Sequence, residues 1–482
     1  MNPKIFLVFL FVILSYTIYG QPEAVLQNTE VASEIKVLES WIHAQMEYRN
    51  LPGMSVGIVY DQDLIYSKGF GYGNLEKKTA ATSQTLYRIA SISKTFTATA
   101  IMQLRDEGKL RLDDPIEKYL PGFNIQNPFP DAPEITVFNL LTHTSGLPRE
   151  AGFPYWTNRK FPTMKEIIAA LPEQEMIYPP GTHYKYSNLG MALLGEIVTV
   201  ASGVPYDKYI TENIFDPLGM SSSSVFLTEK DKQRLVTPYS HRFQDGSRRV
   251  MPFTDAKGLV SAANITSNVE DMAKFISQQF RKGKRGNRQI LDGYTLAEMQ
   301  RIHWLNSNWT SGYGLGFRVW KDDVYTVVGH GGWVAGNRSQ ISFVPDEKVG
   351  VIVLTNADDA SPSFFANRIL ELMVPVIHET VTPSAADKKA DPRWEKYIGL
   401  YTDPSWYDTE ILIYKNQLVM NGYSYPPEDS PGENLTVLTP AGQDTFKMDG
   451  PNGNGELVIF KLDENDKVVR IKVGENYIFP KK

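Results

Sequence analysis

Cysteine is absent from all 482 residues. Disulfides, thiolate nucleophiles and cysteine-ligated metals are therefore excluded together. An excess of one charge is also lacking. The 49 basic and 55 acidic residues are interspersed, and the net charge of −6 offers neither a nucleic-acid face nor attraction to an anionic membrane. The seven histidines, at 43, 143, 183, 241, 303, 330 and 378, include no His-x-x-x-His or similar pair, so no metal and no cofactor are expected. There is no Gly-x-Ser-x-Gly elbow, and no Gly-x-x-x-x-Gly-Lys-Ser/Thr phosphate loop.

Long apolar runs are confined to the N-terminus. Lys4 supplies a positive start, Ile5 to Tyr16 is apolar, and the small Gly20 precedes Gln21, the layout of a secretory signal over 1–20. The rival reading is a membrane anchor, but the run is shorter than the roughly 20 residues of a span and no basic stop follows. Cleavage is expected, with no integral span afterwards and a periplasmic or secreted location. Without cysteine the mature start cannot carry a bacterial lipoprotein anchor. An exported chain without disulfides suits a bacterial envelope or secreted enzyme.

What is present is globular. Hydrophobic residues make up 42% and charged ones 22%, a composition that folds, over a length that allows two or more domains. Val31, Ile35, Leu38, Ile42 and Met46 recur at helical spacing within 31–49. Met54 to Tyr60 and Leu64 to Gly69 bracket Asp61-Gln62-Asp63, and Gln340 to Val344 and Val349 to Thr355 bracket Pro345-Asp346-Glu347-Lys348, two hairpin patterns. Between them lie helical patterns such as Asn188 to Ala201 and Glu270 to Arg281. Strands at both ends with helices between predict an α+β domain closed by distant pairings. The polar, aperiodic stretch Thr382 to Ala390 reads as a linker. After it, Ile411 to Tyr414, Leu418 and Met420, Leu457 to Lys461 and Val468 to Val473 form a short-strand pattern, an all-β domain of roughly 90 residues.

Three distant segments carry chemistry. In Ser91-Ile92-Ser93-Lys94, serine and lysine three residues apart share one helix face, and an adjacent amine can take or carry the serine proton. Gln103 and Leu104 continue that helix and Gly108 supplies a stop. A second match, Ser33-Glu34-Ile35-Lys36, lies on the first amphipathic helix and is expected to face solvent. In Tyr186-Ser187-Asn188 a phenol can act as base or relay a proton, and an amide can hold a substrate carbonyl, although serine and asparagine also cap helices. In His330-Gly331-Gly332 the glycines follow the apolar run Tyr325 to Val328 and would let a substrate lie against a strand edge. The N–H of Trp333 would then join that of Ser91 as an oxyanion hole.

Together these segments resemble the serine β-lactamase-related superfamily, which includes class C-like β-lactamases, penicillin-binding DD-peptidases, family VIII esterases and D-aminopeptidases. The resemblance runs from about Ile35 to Ile377. It includes the block Ile135 to Pro148 around Leu141-Thr142-His143-Thr144-Ser145-Gly146, the stretches Tyr186 to Glu196 and Ile214 to Met220, and Gly312-Tyr313-Gly314-Leu315-Gly316-Phe317. It implies an acylated nucleophile at Ser91, a proton partner at Lys94, a general base at Tyr186, and a substrate or lysine contact at Asn188. His330, Gly332 and Trp333 would line the substrate and oxyanion side. Whether lysine or tyrosine takes the first proton stays open, since the two titrate as a pair. His330 stands where many relatives carry the lysine of Lys-Thr-Gly, and the chain has neither Lys-Thr-Gly nor Ser-Asp-Asn. A histidine only partly charged near neutral pH suits a substrate carboxylate less well and favours esters, or amides lacking that carboxylate. The C-terminal part, from Tyr397-Ile398-Gly399-Leu400-Tyr401 onward, resembles an appended lipocalin-like barrel that would shape the site's mouth, bind substrate or mediate assembly.

The expected architecture is α+β: a β-lactamase/DD-peptidase-like catalytic domain over 21–380, with an antiparallel sheet flanked by helices plus a helical subdomain. A linker at 381–390 and a small β barrel at 391–482 follow. The expected function is an exported serine hydrolase acting through an acyl-enzyme on ester or D-amino-acid amide substrates, or transferring their acyl groups. The expected partner is a small-molecule or cell-envelope acyl substrate; oligomeric state is left open. Two rivals are a DD-carboxypeptidase or β-lactamase acting on peptidoglycan peptides or β-lactams, and a non-catalytic binding protein on the same fold.

Overall fold

The computed structural model describes residues 21–286, 289–322, 324–382, 390–403, 408–414, 416–422, 435–449 and 455–481. The expected signal at 1–20 and most of the expected linker, 383–389, lie outside the described residues. The chain divides into two compact units, one through His378 and one from Glu379.

The first amphipathic pattern is the helix Thr29–Arg49. The Asn28 side chain opens it by accepting the N–H groups of Glu30 and Val31, and Asn50 closes it with a left-handed backbone. Val31, Leu38, Ile42 and Met46 are buried. Ser33 is exposed and donates its hydroxyl to the Thr29 carbonyl one turn back at 2.8 Å, so the second Ser-x-x-Lys match lies on the solvent face.

Both expected hairpins form, and they meet. A nine-stranded antiparallel sheet runs in the order 79–80, 63–74, 53–60, 349–355, 337–344, 325–334, 318–322, 311–313, 304–305. Its centre joins the two ends of the unit, Met54 pairing with Thr355 and Tyr60 with Val349. Gly53–Tyr60 and Val349–Thr355 are buried at every position, which requires cover on both faces. Helix Thr29–Arg49 supplies one cover. Its Glu39 accepts hydrogen bonds from Tyr66 and Lys68, and its Trp41 packs on Phe364 and Phe365 of the helix Pro362–Val381. Helix Val269–Gln279 covers the other face, where Gly57 and Gly350 leave room for Val269 and Ile276.

Behind that helix, Ser93–Asp106 is buried at all positions from Ser93 to Leu104. Phe96 stacks on Phe275 at 4.0 Å between ring centroids and meets Phe215 edge-on at 5.6 Å, tying three helical segments together. The second unit is a closed barrel of eight antiparallel strands, the last pairing with the first through Tyr401 and Pro480. Its inward residues alternate, as in Leu457–Leu462, and Tyr397, Phe446 and Phe460 form a packed ring cluster inside it.

Phe96→Ala removes the ring shared by these helices. It should destabilise the first unit by about 3–5 kcal/mol. Equilibrium urea unfolding monitored by tryptophan fluorescence would show this, and a loss under about 1 kcal/mol would mean the three segments do not depend on that ring.

Candidate active site

Ser91 sits in a tight turn, Ala90–Ile92, at the start of the helix that carries Lys94. Ala90 is held at φ +49°, a conformation disfavoured for a residue with a Cβ. The turn is clamped at Ile89, whose carbonyl accepts the Ile92 N–H and the Ser339 hydroxyl. Ser91 stays partly exposed while Lys94 is wholly buried. Lys94 Nζ donates to Ser91 Oγ at 3.1 Å and to the Ala262 carbonyl at 2.7 Å. Among the described residues no carboxylate is in contact with it. Burial therefore dominates and pulls its pKa down to about 7, with Glu150 opposing and Arg149 assisting at longer range. Gly316, at φ +81°, lets its loop press on Ala98 of the same helix, where a Cβ would lie 2.3 Å away.

Tyr186 faces the same serine, whose hydroxyl opposes in small part the effect of burial on the phenol. Its ring lies 5.0 Å from Lys94 Nζ and 5.0 Å from the Arg149 guanidinium. Burial raises its pKa well above the usual phenol value, so it is a neutral phenol at working pH.

The segment Tyr186 to Asn188 is held by the loop Thr142–Arg149. His143 Nδ1 accepts the Ser187 N–H at 3.2 Å, the Pro148 carbonyl accepts the Ser187 hydroxyl at 2.7 Å, and the Arg149 carbonyl accepts the Asn188 N–H at 2.7 Å. Ser187 also caps the helix Asn188–Ser202. The cap reading of this tripeptide is thus met by Ser187. The Asn188 amide turns to Glu150, reaching its two oxygens at 2.9 and 3.1 Å. In this geometry the donors expected to hold a substrate or the lysine are engaged by a carboxylate that Tyr155 also binds.

His330, Gly331, Gly332 and Trp333 lie on the strand Tyr325–Val334. The 318–322 strand pairs with it only as far as Gly329, so from His330 onward one edge has no strand partner among the described residues. Gly332 is needed for a reason the sequence reading did not give. A Cβ there would lie 2.1 Å from the Ile89 carbonyl and 2.3 Å from Ser339 Oγ, so glycine lets the strand press against the nucleophile turn. This places the Gly332–Trp333 backbone beside Ser91.

The expectation of a partly charged histidine is corrected. His330 is buried, Nδ1 donates to the Gly331 carbonyl at 2.6 Å, and Nε2 accepts the Tyr313 hydroxyl at 3.0 Å. Burial and the neighbouring Lys94 charge push its pKa down to about 3, so it is neutral at physiological pH.

The sequence reading missed four participants: Glu150, the Ala262 carbonyl, His143 and Tyr313. His143 and Tyr313 stood inside segments already singled out. Glu150 and Ala262 left no local signal, because one acts through its charge and the other through its backbone.

Comparisons with known proteins bear on the family and the fold. A β-lactamase family model matches residues 38–373. Beta-lactamase-like protein 2 of Dictyostelium discoideum is 30% identical over 433 residues, covering 83% of this chain and 77% of that protein. Penicillin-binding protein 4* of Bacillus subtilis is 26% identical over 362 residues, 70% of this chain and 77% of that one. Among solved structures, the octameric penicillin-binding protein homologue from Pyrococcus abyssi is similar with a TM-score of 0.62 and 29% identity, covering 93% of this chain and 100% of that chain. The matched span contains Ser91, Lys94, Tyr186 and the strand Tyr325–Val334, and the chain belongs to the β-lactamase family.

Proposed function

We propose that the protein is an exported serine hydrolase that works through an acyl-enzyme on Ser91 and acts on esters, or on amides without a carboxylate beside the scissile bond. One observation carries this reading: a wholly buried lysine with its pKa near 7 lies 3.1 Å from a partly exposed serine hydroxyl. Near neutral pH a large fraction of Lys94 is a free amine with a lone pair for the serine proton. Tyr186 holds its own proton and is poorly suited to take the first one.

Acylation then runs in balance. Ser91 Oγ bonds to the scissile carbonyl carbon and its proton moves to Lys94 Nζ. The carbonyl oxygen takes the negative charge and is met by the N–H groups of Ser91 and Trp333. As the oxyanion collapses, the bond to the leaving group breaks, Tyr186 gives its proton to that group, and Lys94 restores it. Water or another acceptor releases the acyl group by the reverse order.

The DD-peptidase reading draws on the Bacillus and Pyrococcus relatives, both named for penicillin binding. Against it stands His330, whose neutral ring offers no cation to a substrate carboxylate.

Intact-mass measurement after mixing with p-nitrophenyl butyrate and with penicillin separates these readings. The expected result is rapid nitrophenol release and little penicillin adduct, both lost in Ser91→Ala and Lys94→Ala but unchanged in Ser33→Ala. Tyr186→Phe should slow turnover by about 10²-fold or more. A persistent penicillin adduct at Ser91 would favour the DD-peptidase.

The pH dependence of acylation follows from Lys94. Its free-amine form is the active one, so kcat/KM should rise with pH through an ionisation at about 7 and level off above it. His330 is already neutral across that range and adds no limb near 6.5. A profile flat from about pH 5 to 9 would remove Lys94 as the base.

A further inference from the structure

Two tryptophans from opposite sides of the site meet beside the nucleophile. Trp333 follows the glycine pair on the sheet, and Trp156 lies on the short helix Tyr155–Asn158, far away in sequence. Their rings stack with centroids 5.7 Å apart and planes inclined by 29°. Both stay open to solvent, at 37% for Trp156 and 45% for Trp333, so a large apolar surface faces outward where substrate must arrive.

The Trp333 indole is built into place. Its Nε1–H donates to Asp358 Oδ1 at 2.9 Å, the same oxygen accepts the Gly336 N–H at 2.7 Å, and the Asp358 carbonyl accepts Arg338 Nε at 2.6 Å. Trp156 is seated from behind by Phe161, edge-on at 5.3 Å. A surface of this kind costs little ordering when a ligand covers it.

Its position selects which part of a substrate it meets. The backbone N–H assigned to the oxyanion belongs to Trp333 itself, so the indole stands within one side chain of the scissile carbonyl. The proton donor Tyr186 lies at the other end of the segment, with ring centroids 6.4 Å from His330. His330 and Trp333 are three residues apart on a strand, about 10 Å. The leaving group must face Tyr186 to receive its proton, which leaves the acyl substituent to run toward the tryptophans.

We infer that the Trp156–Trp333 pair is the acyl-binding wall of the enzyme and selects substrates whose acyl group is an apolar chain or ring over those with an acetyl or charged group. This rests on the proposed acyl-enzyme mechanism and adds the substrate class. Neutral His330 fits the same class, since its ring offers no charge to an acyl carboxylate.

The test compares kcat/KM for p-nitrophenyl acetate, hexanoate, benzoate and hemisuccinate, with intact-mass detection of the Ser91 adduct. The wild-type protein should prefer hexanoate and benzoate. In Trp156→Ala the hexanoate-to-acetate ratio should fall about tenfold, whatever factor is common to both esters. Trp156→Phe, which keeps a ring in the stack, should retain most of the preference, and Trp156→Leu replaces the alanine variant should that one fail to fold. An unchanged ratio in a folded Trp156 variant, or a wild-type preference for acetate or hemisuccinate, overturns the acyl wall while leaving the acyl-enzyme standing. Absence of a Ser91 adduct with every ester overturns both.

Discussion

The site depends on keeping one ammonium-bearing side chain out of water, with no carboxylate in contact with it among the described residues. Lys94 is buried on the inner face of its helix and met by a serine hydroxyl and a backbone carbonyl. Direct pairing with an acid would have raised its pKa and fixed its charge; desolvation outweighs the more distant Glu150 and lowers it into the range where a proton can come and go. The helix has to be buried on every side to achieve this. That demands the covering helices, the Phe96 stack and the close approach of Gly316, so much of the catalytic unit's packing serves to dry one amine.

The same low-dielectric pocket sets the state of its neighbours. Tyr186 keeps its proton, and His330 and His143 are held below the usual imidazole pKa, by burial first and by Lys94 second. Tyr186, His330 and His143 are therefore neutral neighbours of Lys94. His330 illustrates why residue type alone misleads. A histidine in solution senses pH near neutrality, but one whose two nitrogens are committed to a carbonyl and a tyrosine in a buried site does not.

Much of this was legible in the sequence. The hairpins were visible because strand alternation and turn residues are local, and the amphipathic helix at 29–49 was visible because its buried residues recur at helical spacing. The nucleophile helix could be chosen over Ser33 because its sequence continued apolar and small on all faces. Harder to read were features made by contact between distant segments. Asn188 looked like a substrate ligand because an amide's partners are unspecified in sequence, and Glu150 claims it only once the 142–150 loop folds over the helix start. Gly332 looked like room for a ligand, yet it is room for the Ile89 carbonyl.

The sequence by itself determined which elements form, the two-part division into an α+β portion and a β-rich tail, and the placing of Ser91 and Lys94 on one helix face, because these rest on periodicity and spacing along one stretch of chain. Tertiary structure alone decided the protonation states, the partner of Asn188, the purpose of Gly332 and the meeting of Trp156 with Trp333. Those depend on burial and on approach between segments from 38 to more than two hundred residues apart. Neither the dielectric around a group nor the neighbour across a cleft is written in the local pattern.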